Sequence, residues 1–353
     1  MRIEIEQLRS LYREFALSHG ADEEEVDFFT HTILRADLRG HSTQGLGLLP
    51  YIDELLQEQV MSFGKPFEVM QEHAATALVN GHSGVGNVVA TRSMALAIQK
   101  ANATGVGLVS AQNSGDFGMA SNYAIQALEA GMIGISMCTG PLLVAPWGGS
   151  EPYFCTNPLA IAVPAGDQDP IVIDMATSAA SMGNVVLAAR DGQKLSSKAV
   201  VDAQGNYSDE PLQVILDVMD RESKMTGALL PAGPKGFGMI LMVELLAGLL
   251  SGVRTWENEV PATTEQRPSF HAQTFIAISV EKFQDPAVFA ASADRMIQTL
   301  KSALPAVGFD RVRLPGGVSA EKLRDNLEHG VLVRDEEWQM ALQVAQRLKL
   351  SFT

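Results

Sequence analysis

Residues 113 to 192 constrain the fold more than any other stretch, because glycine-rich turns repeatedly interrupt apolar runs there. Two of these runs, Met132 to Met137 and Ile171 to Ile173, have the composition of buried strands. Core packing alone seldom needs so many tight turns. Glycine and hydroxyl residues at strand ends let a backbone approach a ligand closely and offer it N–H and O–H donors. The stretch therefore predicts strand ends that bind a polar small molecule.

The overall composition is typical of a globular protein with small ligands. The chain has 353 residues, 46% of them apolar, and one hydrophobic core rarely grows beyond about 250 to 300 residues, so we expect two or three subdomains. The formal net charge is −15. This charge argues against binding to nucleic acid or to anionic membranes, because both are bound through clustered lysines and arginines.

No targeting segment, disulfide framework or metal site is evident. No apolar run reaches the roughly 18 residues of a membrane span, and the N-terminus is charged and helical in pattern rather than typical of a signal peptide. We therefore expect a cytoplasmic protein without a membrane partner. The two cysteines are Cys138 and Cys155, and no Cys or His spacing matches a zinc site, so we expect no bound metal.

Local patterns predict alternating helices and strands. Apolar spacing predicts a helix pair over residues 4–34, and residues 75–112 predict a strand, a glycine turn, a helix and a second strand. The glycines of that turn, at 81, 84 and 86, do not follow the G-x-G-x-x-G spacing of a Rossmann fingerprint. A nicotinamide cofactor would therefore have to be bound in another way.

The C-terminal half continues in the same manner. Residues 193–225 are polar and rich in turns, which predicts a surface loop or lid. Residues 273–280 alternate like a strand, and residues 286–303 and the segment from Trp338 to Leu348 have the spacing of amphipathic helices. We find no internal repeat or low-complexity tract.

Three polar motifs have two interpretations each. The run His41, Ser42, Thr43 and Gln44 lies between two glycines and is either a ligand loop or a helix cap.

The second motif is a Pro-Lys-Gly turn with Lys235, which precedes a strongly apolar helix within residues 229–251. Its lysine either binds a phosphate at the helix N-terminus or merely solubilises the turn. The third motif places Arg311 and Arg313 beside a Pro-Gly-Gly bend, which is either a phosphate site or a strand edge with a hairpin.

Taken in order, the segments resemble the malate/L-lactate dehydrogenase family of the non-Rossmann type. The resemblance covers nearly the whole chain. Its motifs are ADLRG…GLGLLPYI at 36–52, VGNVVA at 85–90, NSGDFGMA at 113–120, APWGG at 145–149, TNPLAIAVP at 156–164, DMATS at 174–178, GPKGFGMILMVELLAGLLSG at 233–252 and RLPGG at 313–317.

The resemblance implies an α/β, non-Rossmann malate/L-lactate dehydrogenase-like fold, with a mixed sheet and helical N- and C-terminal segments. It also implies a homodimer and NAD or NADP as the cofactor. Three domains are expected, with approximate boundaries. They are a helical domain of 1–70 plus 285–353, a cofactor-binding domain of 71–125 plus 220–284, and a central sheet and active-site domain of 126–219.

The resemblance also implies positions for the cofactor. By position in the motifs, Lys235 and Gly236 would meet its phosphates or ribose, and Pro315 with Gly316 would close over its adenosine end. Thr156 and Asn157 would lie close to the nicotinamide. The residues expected along the cofactor are Asp174, Met175, Ala176, Thr177 and Ser178.

Two departures from the family pattern affect proton transfer. The family loop reads Ser-His-Gly where this chain has Thr-Gln-Gly at 43–45, and a second motif reads Asn-His-Phe-Gly where this chain has Gly-Asp-Phe-Gly at 115–118. Both usual histidines are therefore expected to be replaced, by Gln44 and Asp116. A glutamine amide cannot exchange a proton, and an unperturbed aspartate, with a pKa of about 3.9, is a poor acid at neutral pH.

Further departures reduce positive charge. Leu48 and Met182 stand where the family often has Arg, and Asn184 stands where it commonly has Lys. With the added carboxylate of Asp116, these changes make a simple 2-oxo acid a less suitable substrate.

We therefore expect an NAD(P)-dependent oxidoreductase that transfers hydride to or from a small 2-oxo or 2-hydroxy acid, or an imino or amino acid-like substrate. Asp116 would act as acid or base if burial raises its pKa, or would pair with a cationic amine or iminium. Gln44 would bind a carbonyl or carboxylate, and His41 is either a replacement for the missing imidazole or a structural residue. The alternative is a non-redox enzyme or a non-catalytic binding protein on the same fold.

Overall fold

A computed structural model describes residues 1–214, 227–254 and 271–352. Its strands are β1 (Arg2–Ile3), β2 (Glu68–Glu72), β3 (Thr76–Gly84), β4 (Val106–Ser114), β5 (Met132–Thr139), β6 (Leu159–Val163), β7 (Ile171–Met175), β8 (Val200–Val201), β9 (Tyr207–Ser208), β10 (Ala228–Leu229), β11 (His271–Ser279) and β12 (Val331–Leu332). Its α-helices are α1 (Ile5–Ser18), α2 (Glu23–Leu38), α3 (Leu49–Gln57), α4 (Gly86–Thr104), α5 (Ser121–Glu129), α6 (Met182–Arg190), α7 (Gly233–Val243), α8 (Pro286–Lys301), α9 (Gly317–His329) and α10 (Asp335–Leu348).

A seven-stranded sheet has the order β2-β3-β4-β11-β5-β6-β7. β3 and β4 are parallel and joined by α4, whereas the other neighbouring strands are antiparallel. The strand from the C-terminal third of the chain, β11, therefore lies between β4 and β5. This order brings the C-terminal ends of β3, β4, β5 and β7 to the same edge as the N-terminal ends of β6 and β11.

Two glycines bring helices close to the sheet. A Cβ atom at Gly107 of β4 would lie 2.0 Å from the carbonyl oxygen of Ala97 in α4. A Cβ atom at Gly134 of β5 would lie 2.3 Å from the carbonyl oxygen of Ala124 in α5. No side chain fits at such distances, so α4 and α5 can pack tightly and fix the loops that leave the sheet.

The two ends of the chain form a helical layer. A capping box starts α2, because Asp22 accepts from the Glu25 amide while the Glu25 side chain accepts from the Asp22 amide. Leu8, Phe29 and Trp338 belong to one buried cluster that joins α1, α2 and α10. The mixed sheet and these terminal helices confirm the expected α/β class. The domain boundaries stay a prediction. The central sheet takes strands from both the expected cofactor-binding domain and the expected central sheet domain.

Most of the predicted elements are present, with two differences. Residues 304–316 contain no strand, so the hairpin interpretation of Arg311 and Arg313 is wrong. Within 193–225, β8 pairs with β9 and β10 because Val200 and Val201 are buried apolar residues. The described part of that segment is therefore not a loop throughout, and residues 215–226 lie outside the described residues.

One continuous helical segment, Gly233–Ser251, is α7 followed by a π-helical turn (Glu244–Gly248) and a 3-10 turn. It has the length and the mean hydropathy, 1.4, of a membrane span, and 33% of it is buried within the chain. The expectation that no apolar run reaches this length is wrong by this measure. Its single lysine and single glutamate interrupt the apolar run in the sequence, but the mean hydropathy of the segment stays as high as that of a membrane span.

Candidate active site

The loop of His41 and Gln44, the loop after β4 and the start of α6 meet at the sheet edge where β4, β5 and β7 end. The loop between α2 and α3 lies against the loop after β4, since the carbonyl oxygen of Gln44 is 3.8 Å from a Cβ position built on Gly118. It also lies against the start of α6, because a Cβ position on Gly183 is 2.9 Å from the Cβ of Thr43. Segments far apart in sequence therefore form one site.

Asp116 extends into this site from the loop after β4. A β-bulge precedes it, because His271 pairs with Ser114 while Gln273 pairs with Ala111, and such bulges re-aim side chains at the ends of strands. One carboxylate oxygen, Oδ1, accepts a hydrogen bond from the Gly118 amide at 2.8 Å. The other, Oδ2, lies 3.9 Å from Nε2 of His271. The carboxylate is thus held by its own loop and faces an imidazole.

His271, the first residue of β11, was not identified from the sequence. Its side chain is only 13% exposed. Its ring lies against Gly140, where a Cβ atom would be 2.9 Å from Nε2. Burial lowers the pKa of His271, and the neighbouring Asp116 carboxylate opposes that shift. The only sequence signal was that His271 lies just before the strand predicted at 273–280. Its position beside Asp116 could not be predicted, because the pairing of that strand with β4 could not be.

Gln273 fixes the backbone next to Asp116. Its amide nitrogen donates to Oγ of Ser114 at 2.8 Å and to the carbonyl oxygen of Gly115 at 3.1 Å. The side chain is fully buried. A central strand therefore positions the loop that carries the carboxylate.

His41 and Asp174 form a second acid–imidazole pair. Oδ2 of Asp174 accepts from the Ser121 amide at 2.9 Å, and burial raises the pKa of this carboxyl group. Burial lowers the pKa of His41, Asp174 raises it, and Lys322 and Arg39 lower it further. Asp174 thus binds the Ser121 amide at the start of α5 and acts electrostatically on His41.

Gln44 lies in a 3-10 turn and is half-buried. Its side chain makes no hydrogen bond to any residue that the structure describes. Nearby contacts hold its backbone: Oδ1 of Asp37 accepts from the Leu46 amide at 2.8 Å, and Oγ of Ser42 donates to Glu337 at 3.0 Å. The side-chain amide of Gln44 therefore lies on a fixed loop and is available to a ligand.

The segments expected along the cofactor lie side by side. Oγ1 of Thr177 donates to the carbonyl oxygens of Thr156 and Asn157, at 3.0 Å each, and the Ala232 amide donates to the Thr177 carbonyl at 3.1 Å. Ser178 forms a bridge with Pro231. The motifs at 156–157, 174–178 and 233–236 are therefore one structural unit.

Asn157 is turned into this unit. It is completely buried, and its amide donates to the Ile240 carbonyl and to Glu244, both at 3.0 Å. Glu244, which the sequence did not single out, also accepts from Thr139 at 2.6 Å. Asn157 thus links the β5–β6 loop to α7 and the π-helical turn, where sequence had placed it close to a nicotinamide.

The described residues fit a nicotinamide dinucleotide. Lys235 is exposed in the first turn of α7 and makes no ion pair within the described ranges, so its charge and the helix N-terminus suit a phosphate. Gly236 has no room for a side chain, since a Cβ would lie 2.9 Å from the Thr177 carbonyl. Met175 exposes 39% of its surface beside this unit and offers apolar contact.

Pro315 and Gly316 lie at the opposite end of β7. Gly316 has a φ of +85°, and a Cβ there would lie 2.9 Å from the Val172 carbonyl. By the rise per residue of a strand, this position is roughly 15 Å along β7 from Thr177. The expected cofactor positions are thus distributed along β7 rather than gathered at one point.

Comparisons with known proteins show a match over nearly the whole chain. Residues 3–341 match the family model described as malate/L-lactate dehydrogenase. The chain is 34% identical to a malate dehydrogenase of Pyrococcus horikoshii, over 93% of this chain and 90% of the relative. It is 32% identical to an L-sulfolactate dehydrogenase of Methanothermobacter thermautotrophicus, over 99% and 98%. Its structure matches a delta1-piperideine-2-carboxylate reductase of Pseudomonas syringae with a TM-score of 0.84 and 28% identity, over 99% of both chains.

Proposed function

The chain belongs to the malate/L-lactate dehydrogenase family and is a hydride-transferring oxidoreductase, and on that premise we propose the roles of its own residues. The substrate is a small 2-oxo or 2-hydroxy acid, or an imino or amino acid-like compound. Asp116 favours the nitrogen-containing compounds. The geometry of Asp116 carries this proposal, since its side chain is 27% exposed and Oδ2 lies 3.9 Å from Nε2 of His271.

The charge of Asp116 supports a cationic substrate group. At about 4 Å and an effective dielectric constant of 20, a unit charge pair is worth about 4 kcal/mol. An amine or iminium gains from this attraction, whereas a carboxylate at the same place is repelled. Gln44, whose side-chain amide has no partner among the described residues, binds the carbonyl or carboxylate oxygen of the substrate.

NAD or NADP is bound along β7 and the start of α7. Lys235 and Gly236 meet its phosphates or ribose, Asp174 to Ser178 lie along it, and Pro315 with Gly316 close its adenosine end. Thr156 and Asn157 support the ring end. When bound, the nicotinamide exchanges a hydride with the substrate carbon.

Two copies form a homodimer in the cytoplasm. An apolar patch supports this: Leu241, Leu245 and Leu249 of the α7 segment expose 37%, 53% and 45% of their surface. With Pro146, Tyr153, Phe154 and Glu244 they line a cavity of about 460 Å³. We call the six apolar residues of this lining the leucine patch. Exposed apolar patches of this kind mark interaction surfaces, and a second copy covers this one.

A binding and turnover experiment tests the proposal. NADH and NADPH are titrated by calorimetry into the wild-type protein, Lys235→Gln and the control Lys282→Gln, whose lysine follows the opposite end of β11. We expect at least one cofactor to bind, and Lys235→Gln to weaken binding by roughly tenfold, about 1.4 kcal/mol. Lys282→Gln should bind like the wild type.

Turnover is then followed at the absorbance of the reduced nicotinamide, with oxo acids, imino acids and amines. Flat titrations with both cofactors would refute the proposed cofactor site. Binding without any redox change across the panel would instead favour the non-redox alternative.

A further inference from the structure

An imidazole lies beside Asp116 although none was expected there. His271 and Asp116 come from β11 and from the loop after β4, and the two strands are neighbours in the central sheet. Nε2 of His271 and Oδ2 of Asp116 are 3.9 Å apart. This distance is too long for a direct hydrogen bond. A substrate hydroxyl or amine that lies beside the pair can therefore reach both side chains.

We propose that His271 exchanges the proton with the substrate, and that the Asp116 carboxylate stabilises the imidazolium that forms; this proposal rests on the function proposed above. In the oxidising direction, the substrate O–H or N–H bond breaks and its proton moves to an unprotonated ring nitrogen of His271. The C–H electron pair leaves with the hydrogen as hydride to the nicotinamide, and the C–O or C–N bond becomes double. Reduction is the reverse.

The surroundings of His271 suit this role. Burial lowers its pKa, so the ring is neutral near pH 7 and ready to accept a proton. Asp116 raises that pKa and thereby makes the charged form less costly. Gly140 leaves the space that the ring occupies. A glycine is needed there because any side chain would displace the imidazole.

Other titratable groups nearby do not compete with Asp116. The thiol of Cys155 lies 3.4 Å from the same Cβ position on Gly140, and burial raises its pKa to about 11, so it stays neutral. Burial also raises the pKa of Cys138 on β5. Glu244 accepts hydrogen bonds from Thr139 and Asn157. Asp116 is the charged group that acts on His271 within the described residues.

His41 differs from His271 in its charged neighbours, while burial lowers the pKa of both rings. Asp174 favours its protonated form, but Lys322 and Arg39 both oppose it. His271 has a carboxylate neighbour without such opposing cations. The sequence candidate and the structural candidate can therefore be separated by experiment.

The variants are His271→Gln, Asp116→Asn and the control His329→Gln. An asparagine at 116 keeps an oxygen that can accept from the Gly118 amide, so the loop is preserved. His329 is an exposed imidazole with its own aspartate partner, Asp325, at 3.2 Å. It therefore matches the chemistry of the substitution outside the site.

The first readout is titration of the histidine rings by NMR in the free protein. The chain has seven histidines, and the His271 signal is the one lost in His271→Gln. We expect it to titrate below the ordinary histidine value, and to move to still lower pH in Asp116→Asn. An unchanged His271 titration in Asp116→Asn would overturn the proposal even before a substrate is known.

The second readout is the pH profile of kcat/KM in the oxidising direction. We expect activity to rise through the pKa of His271, and this limb to shift to lower pH in Asp116→Asn. His271→Gln should lose the limb and roughly 10² to 10⁴ of the rate, with cofactor affinity intact. His329→Gln should behave like the wild type.

Full activity with an unchanged limb in His271→Gln would remove His271 from the chemistry, while the proposed function would stand. If His271→Gln fails to fold, His271→Asn and the Asp116→Asn titration decide the question. Failure of the wild-type protein to bind NADH or NADPH would instead refute the proposed function.

Discussion

Asp116 is the carboxylate that extends into the candidate site from the loop after β4. It is 27% exposed, and its Oδ2 is not taken up by the loop that holds Oδ1. Because the carboxylate is partly screened by solvent, its effect on a ligand is smaller than the full attraction of a buried pair. Asp116 should therefore bias the site toward cationic substrate groups, by less than a fully buried carboxylate would.

We expect Asp116→Asn to change substrate preference. The ratio of kcat/KM for an amine or imino substrate over a hydroxy or oxo acid should fall by at least about tenfold, which is about 1.4 kcal/mol. The ratio is measured at saturating cofactor, and the control Asp209→Asn, which changes a carboxylate paired with Lys194, should leave it unaltered. An unchanged ratio in Asp116→Asn would show that the carboxylate does not meet the distinguishing group.

At the scale of elements, α2 supports the loop of His41 and Gln44 through one buried carboxyl group. Asp37 accepts from the Tyr12 hydroxyl at 2.5 Å and from the Leu46 amide at 2.8 Å. Burial raises the pKa of Asp37 to about 7, and the two hydrogen bonds oppose this shift. The folded protein therefore binds the Asp37 proton more tightly than the unfolded chain does.

This predicts a pH-dependent stability. Because the folded-state pKa is above the unfolded value of 3.8, the stabilisation is complete below about pH 4 and is lost as pH rises through about 7. Between pH 5 and 8, stability falls only up to the folded-state pKa of about 7, which is a span of about two pH units. At about 1.4 kcal/mol for each pH unit, the free energy of unfolding falls by about 3 kcal/mol. The free energy of unfolding in urea should show this loss in the wild type and a much smaller one in Asp37→Asn. Equal losses in both proteins would contradict the assignment.

Local sequence patterns predicted single helices and strands better than they predicted which strands pair. The strand–helix–strand unit, β11 and α8 follow from apolar spacing within single segments. The insertion of β11 between β4 and β5 does not, because strand pairing depends on contacts far apart in sequence. His271 and Gln273 were missed for that reason. The grouping of 156–157, 174–178 and Lys235 was expected from family resemblance, which carries such long-range information.

At the scale of the whole molecule, the leucine patch is an apolar surface that lies exposed on a single copy. Its helix has a buried glutamate, Glu244, bound to Thr139 and Asn157 inside the chain. The outward face is therefore apolar while the inward face contacts the β5–β6 loop. The proposed dimer contact and the candidate active site therefore share one helix.

We expect Leu245→Glu to weaken the dimer. Burying a leucine contributes about 1.5 to 3 kcal/mol, so the loss should raise the dissociation constant by roughly tenfold to a hundredfold. Sedimentation equilibrium measures this change. Leu327→Glu, on the exposed face of α9 with 56% exposure, is the control and should leave the equilibrium unchanged. A wild-type protein that sediments as a monomer at all concentrations would contradict the patch as a dimer interface.

The position of β11 also determines when the pocket can exist during biosynthesis. This strand is central among the seven, yet it spans only residues His271–Ser279 of the 353-residue chain. Until those residues have left the ribosome, β4 and β5 have no partner between them, and two half-sheets keep unpaired edges. A nascent chain released before that point therefore lacks both the imidazole and the platform on which the substrate would lie.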